Sequence, residues 1–262
     1  MPYDVWRTPK EPLALTAKPE EREVVLEDAA VHIHTSGAGA TTYVLIHGIG
    51  VSSRYFRPLA EELSRDAVVH SVDLPGHGRV PKPARPLSVP DYARVLWAAL
   101  DRIGVEAPVL VGHSMGAQIV AEMALSGRLL AGVVLLGPTN YAAERGFWRQ
   151  ALRLGQDTLR EPPSVNAVVL TDYGFRCGPS WYMKTTPAML GHHIEDAIGG
   201  IQAPLLIGRG ARDPIVPRRW VEELAALRPG AETAEVAGEA HVLMMKSAPE
   251  VARLCRGLVA PR

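Results

Sequence analysis

Short, continuous apolar runs recur along most of the chain. They lie at residues 42–47 (TYVLIH), 67–72 (AVVHSV), 108–113 (PVLVGH), 132–136 (GVVLL) and 204–207 (PLLI). The runs lack the alternation of a half-exposed strand, so each predicts a strand buried on both faces, as in a parallel sheet covered by helices. Further strands are expected at residues 23–27 and 31–35, around a turn at Asp28, and at residues 231–236 near the sheet edge.

Helical spacing fills the intervals between these runs. Apolar residues recur three and four positions apart in residues 55–64, 91–103, 115–126 and 218–227, and a closing helix is expected at residues 249–259. Strands that alternate with helices in this way are joined by crossovers onto one sheet. The predicted fold class is therefore α/β, with a mostly parallel central sheet flanked by helices.

One long connection interrupts the alternation. Residues 138–196 stand between two predicted core strands and hold seven of the fifteen Trp, Tyr and Phe residues. A connection of this length rarely lacks secondary structure, so we expect a helical cap over the carboxyl ends of the strands, where open α/β sheets bind ligands. The expected organisation is an N-terminal arm at residues 1–22, a core of residues 23–137 and 197–262, and this cap.

Composition narrows the classes of partner. The 28 basic and 28 acidic residues give a formal net charge of zero, which provides no general attraction to nucleic acid or to an anionic membrane surface. Cys177 and Cys255 are too few for a disulfide framework. The sequence predicts neither a signal peptide nor an apolar run of the ~18 residues that span a bilayer. We therefore expect a cytoplasmic protein without nucleic-acid or membrane partners.

Gly112-His113-Ser114-Met115-Gly116 matches the pattern G-x-S-x-G. The pentapeptide alone is weak evidence, but a predicted strand precedes it and a predicted helix begins at Met115. A strand, a sharp turn with serine at its apex and a helix form the nucleophile elbow. Side chains in place of the flanking glycines would collide across this turn. This context favours Ser114 as a nucleophile over a serine that only caps the helix.

Other motifs follow the remaining predicted strands in a definite order. The motifs are His47-Gly48-Ile49-Gly50, residues 73–78 (DLPGHG), the serine elbow, residues 210–217 (GARDPIVP) and Gly238-Glu239-Ala240-His241. With this set the chain resembles the α/β-hydrolase family from about residue 24 to residue 258. The small capped members of that family are the most similar.

The resemblance implies a catalytic triad in the chain order Ser, acid, His. A serine hydroxyl needs a base at neutral pH, and the base needs a third group to orient it. His241 is the only histidine after Asp213, and the two match the family's base and acid positions. Some members place the acid one strand earlier, but Asn140 in that turn carries no charge. Poor alternatives for the acid, all in the expected cap, are Asp157, Asp172 and Asp196.

Two backbone N–H groups are expected to bind the oxyanion. Met115 supplies one by its position after the nucleophile, and the resemblance implies Ile49 for the other. We expect His47 to form a hydrogen bond within its own loop, and Asp73 and His77 to have structural roles. The histidines expected on the surface, without a metal site, are His32, His34, His192 and His193.

The walls of the substrate pocket are expected to come mainly from the cap. The candidates are Phe147, Trp148, Trp181, Tyr182, Met183, Met189 and, beside the catalytic histidine, Val242. Six basic and six acidic residues balance within the cap, so a strongly charged substrate is not expected.

The expected activity is hydrolysis of a small-molecule carboxylic ester through an acyl-enzyme on Ser114, without a metal or organic cofactor. The same triad could serve a lactonase, a thioesterase, an amidase or a carbon–carbon bond hydrolase. Ala117 disfavours the last, because many such hydrolases have a further glycine at this position. A ligand receptor or a scaffold protein on the same fold is a further alternative, and the oligomeric state stays open.

Overall fold

The computed structural model describes residues 19–27 and 29–260, and its centre is an eight-stranded sheet. Strands β1 to β8 are, in chain order, Glu20–Val25, Ala30–Ser36, Thr42–Ile46, Val68–Asp73, Val109–His113, Gly132–Leu136, Leu205–Gly210 and Glu232–Val236. Their spatial order is β1-β2-β4-β3-β5-β6-β7-β8. β2 pairs antiparallel with β1 and β4, and the remaining pairs are parallel. The predicted fold class is confirmed.

Burial explains why the central strands are continuous apolar runs. Every residue of β5, β6 and β7 is buried, and so are four of the five residues of β3. The edge strands β1 and β8 are largely exposed or half-buried, which accounts for their polar sequences. The strand predicted at residues 231–236 therefore lies at the edge of the sheet, as expected.

Helices cover both faces of the sheet. Helices α1 to α10 are Arg57–Leu63, Val89–Arg102, Met115–Ala124, Phe147–Thr158, Pro163–Thr171, Pro179–Gly191, Ile194–Ile198, Arg218–Ala226, Leu243–Lys246 and Ala248–Val259. Apolar residues of α2, α3, α7 and α8 form one core with the sheet, and those of α1, α9 and α10 form a second core. In residues 19–27 and 29–260, no helix is long and apolar enough to cross a membrane.

Local chemistry moves several helix boundaries from their predicted positions. The helix expected at residues 55–64 is a 3-10 turn, Ser53–Phe56, followed by α1. α2 begins two residues before the predicted start because Ser88 and Asp91 form a capping box, each side chain accepting the other's backbone N–H.

The start of the sheet also differs from the sequence prediction. β1 begins at Glu20, which pairs with Thr35, so the last three residues of the predicted arm belong to the sheet. The rest of the arm up to residue 18, and the predicted turn residue Asp28, lie outside the described residues.

The long connection between β6 and β7 is helical. It contains α4, α5, a π-helical turn at Asp172–Cys177, α6 and α7. Ile194, Ala197 and Ile198 of α7 are buried in the core beside the sheet. The predicted cap boundary at residue 196 therefore falls inside a helix that packs with the core. From here on, "cap" means residues 138–191.

Candidate active site

Ser114 lies at the turn between β5 and α3, with the unusual backbone angles φ 58° and ψ −119°. Positive φ is costly for a residue with a side chain, and such strain is typical of functional turns. The neighbouring glycines make the turn possible. A Cβ at Gly112 would lie 2.2 Å from the carbonyl oxygen of Gly116, and one at Gly116 would lie 2.1 Å from that of Ile46. Ser114 remains half-buried at the edge of a cavity.

His241 and Asp213 form a buried pair beside this turn. The imidazole Nδ1 of His241 donates a hydrogen bond of 2.8 Å to Oδ2 of Asp213. The other carboxylate oxygen of Asp213 accepts the backbone N–H groups of Ile215 and Val216, at 2.8 and 3.1 Å. These bonds fix the carboxylate, and the carboxylate fixes the tautomer of His241 that leaves Nε2 free to accept a proton. His241 and Ser114 line the same cavity.

Several carboxylates determine the basicity of His241. Burial disfavours the charged imidazolium, but the negative charge and hydrogen bond of Asp213, together with the charges of Asp157 and Glu161, raise the pKa of His241 to about 9. The neighbouring His113 behaves in the opposite way. Burial and the proximity of His241 hold the pKa of His113 well below its usual value, so this imidazole is neutral.

The loop after β3 approaches Ser114 closely. A Cβ at Gly48 would lie only 2.9 Å from the Cβ of Ser114. Nε2 of His47 accepts the N–H of Leu74 at 3.0 Å, so its Nδ1 carries the hydrogen and donates to the carbonyl of Gly48 at 2.7 Å. In a trans peptide the C=O and the next N–H point in opposite directions. The N–H of Ile49 therefore points away from His47, and it stays the predicted partner of the Met115 N–H.

A buried chain of hydrogen bonds joins this loop to His241. The N–H of Gly48 donates to the hydroxyl of Tyr55 at 2.8 Å, and this hydroxyl donates to Nδ1 of His113 at 2.7 Å. Nε2 of His113 donates to the backbone carbonyl of His241 at 3.0 Å. No pattern in the sequence predicts these roles for Tyr55 and His113. Only the position of His113 inside the serine motif hinted at a role.

The cavity has a volume of about 500 Å³ and is enclosed mainly by cap helices. Five of the predicted pocket residues line it, namely Phe147, Tyr182, Met183, Met189 and Val242. Trp148 and Trp181 do not, which corrects their prediction. Trp148 lies on α4 next to Phe147 but is 81% exposed to solvent. Trp181 packs its indole over Gly76, where a Cβ would lie 2.2 Å from Nε1.

Helix α5 contributes a cavity wall that the sequence analysis did not identify. Val165, Asn166, Val169 and Leu170 all line the cavity. The spacing of these residues, i, i+1, i+4 and i+5, places them on one face of a helix. This spacing was available as a signal, but the apolar residues of α5 lie on more than one side of the helix, so no single face stands out.

Two acidic residues at the end of α4 also line the cavity. Oδ1 of Asp157 accepts the backbone N–H of His241 at 3.0 Å, and Oε1 of Glu161 accepts that of Val242 at 2.8 Å. Burial is the main cause that raises the pKa of both carboxyl groups. The sequence predicts that Asp157 is a poor alternative for the triad acid. In the structure its carboxylate bonds the backbone of His241 and not the imidazole ring.

A third cap carboxylate, Asp172, ties the cap to the core. It is fully buried and accepts hydrogen bonds from the hydroxyl of Ser52 and, at 2.9 Å, from Nη1 of Arg54. Nε of Arg176 lies 3.3 Å from the same carboxylate. Its two arginine partners balance the charge of this buried group. These contacts give Asp172 a structural role, which differs from the role predicted for the triad acid.

The remaining Asp and His residues singled out in the sequence form contacts within the core or lie at the surface. Asp73 accepts the N–H of Ser53 at 2.6 Å and lies 3.3 Å from Nε2 of His34. His77 is buried. His193 and Asp196 are exposed on the surface. His32 and His34 are partly exposed on β2 and face Glu23 and Asp73.

His192 differs from its prediction as a surface residue. Its side chain is only 8% exposed, and Nε2 lies 2.8 Å from a carboxylate oxygen of Glu122. The reason is that the chain returns to the core here, where the side-chain amide of Asn140 donates to the carbonyl of His192 at 2.7 Å. Across the described ranges, no three His, Cys, Asp or Glu side chains are arranged to hold a metal ion.

The chain is similar in sequence and in fold to known hydrolases. A family model described as the alpha/beta hydrolase family matches residues 43–254. A pimeloyl-[acyl-carrier protein] methyl ester esterase of Xanthomonas campestris is 25% identical over 256 residues, covering 88% of this chain and 99% of that protein. A solved structure titled as an N-acyl homoserine lactone degrading enzyme, Est816, has a TM-score of 0.78 and 23% identity, with 90% and 99% of the two chains covered. An enol-lactonase of Burkholderia xenovorans has a TM-score of 0.78 and 18% identity, with 91% and 99% covered.

Proposed function

Because this chain belongs to the α/β-hydrolase family, we propose that it cleaves a carboxylic ester through an acyl-enzyme on Ser114. The observation that carries the proposal is the 2.8 Å bond between His241 and Asp213, in which His241 lines the same cavity as Ser114. A nucleophile at a strained turn, a base and a carboxylate that orients the base are the parts that acyl transfer requires.

In the proposed reaction, Oγ of Ser114 attacks the ester carbonyl while Nε2 of His241 removes its proton. Asp213 stabilises the resulting imidazolium, and the N–H groups of Ile49 and Met115 bind the oxyanion. The imidazolium then protonates the leaving alkoxide, which departs as the alcohol. Water, deprotonated by the same imidazole, attacks the acyl-enzyme. The imidazolium then returns this proton to the departing Oγ of Ser114, which releases the carboxylic acid and regenerates the free enzyme.

The proposed substrate has an uncharged, partly apolar acyl group that occupies the cavity beneath the cap. Apolar side chains dominate the cap wall, and its charged members, Asp157 and Glu161, are both acidic. These carboxylates would repel an anionic acyl group and offer no cation to bind it. The relative named as a methyl ester esterase supports an ester as the bond cleaved. In this proposal the cap selects the substrate, and the core performs the chemistry.

The test compares wild type with Ser114→Ala on a panel of short to medium acyl nitrophenyl esters, lactones, thioesters and a vinylogous diketone. We expect wild type to prefer the esters and Ser114→Ala to lose at least about 1,000-fold in kcat/KM. A fluorophosphonate should label wild type and fail to label the variant, with the adduct found on Ser114 by mass spectrometry.

Ser126→Ala is the matched control, because Ser126 bonds only its own helix end, at the carbonyl of Met123. It should keep wild-type turnover and labelling. Ester hydrolysis retained in Ser114→Ala would refute the nucleophile. Labelling of Ser114 without turnover of any substrate class would instead favour a ligand receptor.

A further inference from the structure

The loop that carries His241 is held by the cap as well as by the core. Its two consecutive amides, those of His241 and Val242, donate to the side-chain carboxylates of Asp157 and Glu161 at 3.0 and 2.8 Å. Both carboxylates are buried, with exposures of 4% and 7%. Each therefore has little access to solvent as an alternative partner, so the bonds to this loop are important to both sides.

The segment that presents the two carboxylates is itself well ordered by hydrogen bonds. The backbone N–H groups of Arg160 and Glu161 both donate to the carbonyl of Asp157, at 2.8 and 2.9 Å. The side-chain amide of Asn166 donates to the carbonyls of Thr158 and Glu161, at 2.9 and 3.1 Å. These bonds close a tight turn at the end of α4. The turn sets the separation of the carboxylates to match two successive amides.

The carboxylates also add negative charge beside the imidazole. Neither Asp157 nor Glu161 forms an ion pair with Lys or Arg within the part of the chain that the structure describes. The charge of Arg160 opposes the rise in the pKa of Asp157, but its guanidinium donates to the carbonyl of Arg212, at 3.3 Å. A buried carboxylate without an ion-pair partner favours a positive charge nearby, and the imidazolium of His241 acts on both carboxylates in this way.

We propose that Asp157 and Glu161 are positioning residues that hold the His241 loop from the cap and place two carboxylate charges beside its imidazole. The inference rests on the proposed function, because it assigns His241 as the base. It makes the cap a supplier of the catalytic geometry in addition to a wall of the pocket. The two residues act through a hydrogen bond and through a charge, and these effects can be separated.

The other groups around His241 do not account for this basicity alone. Asp213 bonds Nδ1 and raises the pKa of His241, while the neutral ring of His113, centred 4.6 Å away, adds no charge. Glu239, on the same loop, is engaged by Lys246 at 3.4 Å and by the hydroxyl of Ser247 at 2.8 Å. Ser114 and the threonine, asparagine and glutamine side chains that line the cavity with it carry no charge.

The test uses variants that remove the charge but keep an acceptor oxygen for the amide. Asp157→Asn and Glu161→Gln should each lower the pH at which kcat/KM reaches half of its plateau, and the double variant should lower it by about 1 pH unit. The wild-type midpoint is expected near pH 9. The sign follows because loss of negative charge destabilises the imidazolium, so the active neutral base forms at lower pH.

Asp157→Ala and Glu161→Ala remove the acceptor as well and should reduce the plateau itself by about 10-fold or more. Asp196→Asn is the matched control. The side chain of Asp196 is 79% exposed on the surface, so this substitution removes one negative charge without changing a contact of the His241 loop. Its profile should coincide with that of wild type. Thermal melts identify any alanine variant that fails to fold, and the amide variants still decide the question.

The pKa of His241 is also measured without turnover, by NMR titration of the imidazole proton on Nδ1. If wild type hydrolyses esters but the double amide variant has the same His241 titration midpoint as wild type, this inference is overturned and the proposed function stays intact. Absence of both turnover and fluorophosphonate labelling in wild type would instead overturn the proposed function. The NMR titration would then report on the charge effect of the two carboxylates by itself.

Discussion

At the scale of single residues, the candidate site depends on side chains that are absent. Gly48 and Gly116 each occupy a position where a Cβ would lie within 3 Å of another segment, at Ser114 or at the carbonyl of Ile46. The strand β3, its following loop and the serine turn therefore meet without side chains between them. This close approach brings the predicted oxyanion loop to Ser114, the proposed nucleophile.

Gly116→Ala should damage both stability and activity. The new Cβ would lie 2.1 Å from a backbone oxygen that cannot move aside without moving β3. We expect a loss of roughly 1–3 kcal/mol in the free energy of unfolding, measured by urea denaturation, and a loss of at least ~100-fold in kcat.

Gly257→Ala makes the same chemical change where it should be beneficial. Gly257 lies on the exposed face of α10, and apart from its chain neighbours and the backbone of its own helix, no described heavy atom would lie within 4 Å of its Cβ. Replacement of glycine by alanine in a helix should stabilise the protein by about 1 kcal/mol and leave kcat unchanged. Similar stability effects in the two variants would contradict the steric argument at Gly116.

The residues that a sequence can reveal at this scale are those inside local motifs. Ser114 and its glycines are adjacent in the chain, and the order of motifs indicated His241 and Asp213. Asp157 and Glu161 contact a loop more than 80 positions away. Their importance depends on how the cap folds over the core, and one sequence contains no local pattern for such a contact.

At the scale of elements, the end of β4 is tied to the turn that precedes α1. Asp73, the last residue of β4, accepts the N–H of Ser53 at 2.6 Å and pairs with His34 of β2 at 3.3 Å. Burial opposes ionisation of Asp73, but the hydrogen bonds and His34 outweigh it and lower its pKa to about 2. One carboxylate thus joins three elements.

Asp73→Asn should therefore cost about 2 kcal/mol of unfolding free energy near pH 6. The pKa of Asp73 is lower in the folded state, so its contribution is complete above pH ~4 and is lost as the pH falls through about 2. The hydrogen bond with Asp73 is the main cause that raises the pKa of His34, against the opposing effect of burial. The share of the stability that depends on protonated His34 is therefore lost as the pH rises through this raised pKa.

Urea denaturation between pH 3 and 8, in steps of about one unit, measures this dependence. Asp101→Asn is the control, because Asp101 is half-exposed and pairs with Arg128 on the surface. It should change stability by less than about 1 kcal/mol at any pH. An Asp73→Asn effect that does not diminish toward pH 3 would contradict a role for the ionised carboxylate.

The elements themselves were predictable to different degrees. Central strands such as β5 and β6 are continuous apolar runs, because both faces are covered. α2 was predictable by its spacing, although its start depends on the capping box. The sequence predicts a helical cap but not the bounds of its individual helices. Their inner face lines an open cavity, and much of their outer face exposes apolar side chains such as Trp148 and Leu159, so the polarity of the two faces differs little.

At the scale of the whole molecule, the zero net charge conceals a local imbalance. Basic and acidic residues balance over the chain, yet the charged cap residues that line the cavity, Asp157 and Glu161, are both carboxylates. The balance predicted for the cap as a whole therefore does not describe the space that a substrate enters. Shape and the neutrality of the acyl group remain as the proposed criteria for substrate selection.

Shape selection can be tested at α5, whose Val169 faces the cavity. Val169→Phe should fill part of the volume of about 500 Å³ and lower kcat/KM for octanoyl relative to acetyl nitrophenyl ester by about 10-fold. Val168→Phe is the matched control, because Val168 is also half-buried and packed against the core but, unlike Val169, does not line the cavity. The acetyl ester should report an intact triad in both variants. If both variants change the acyl preference equally, α5 does not form the wall that measures chain length.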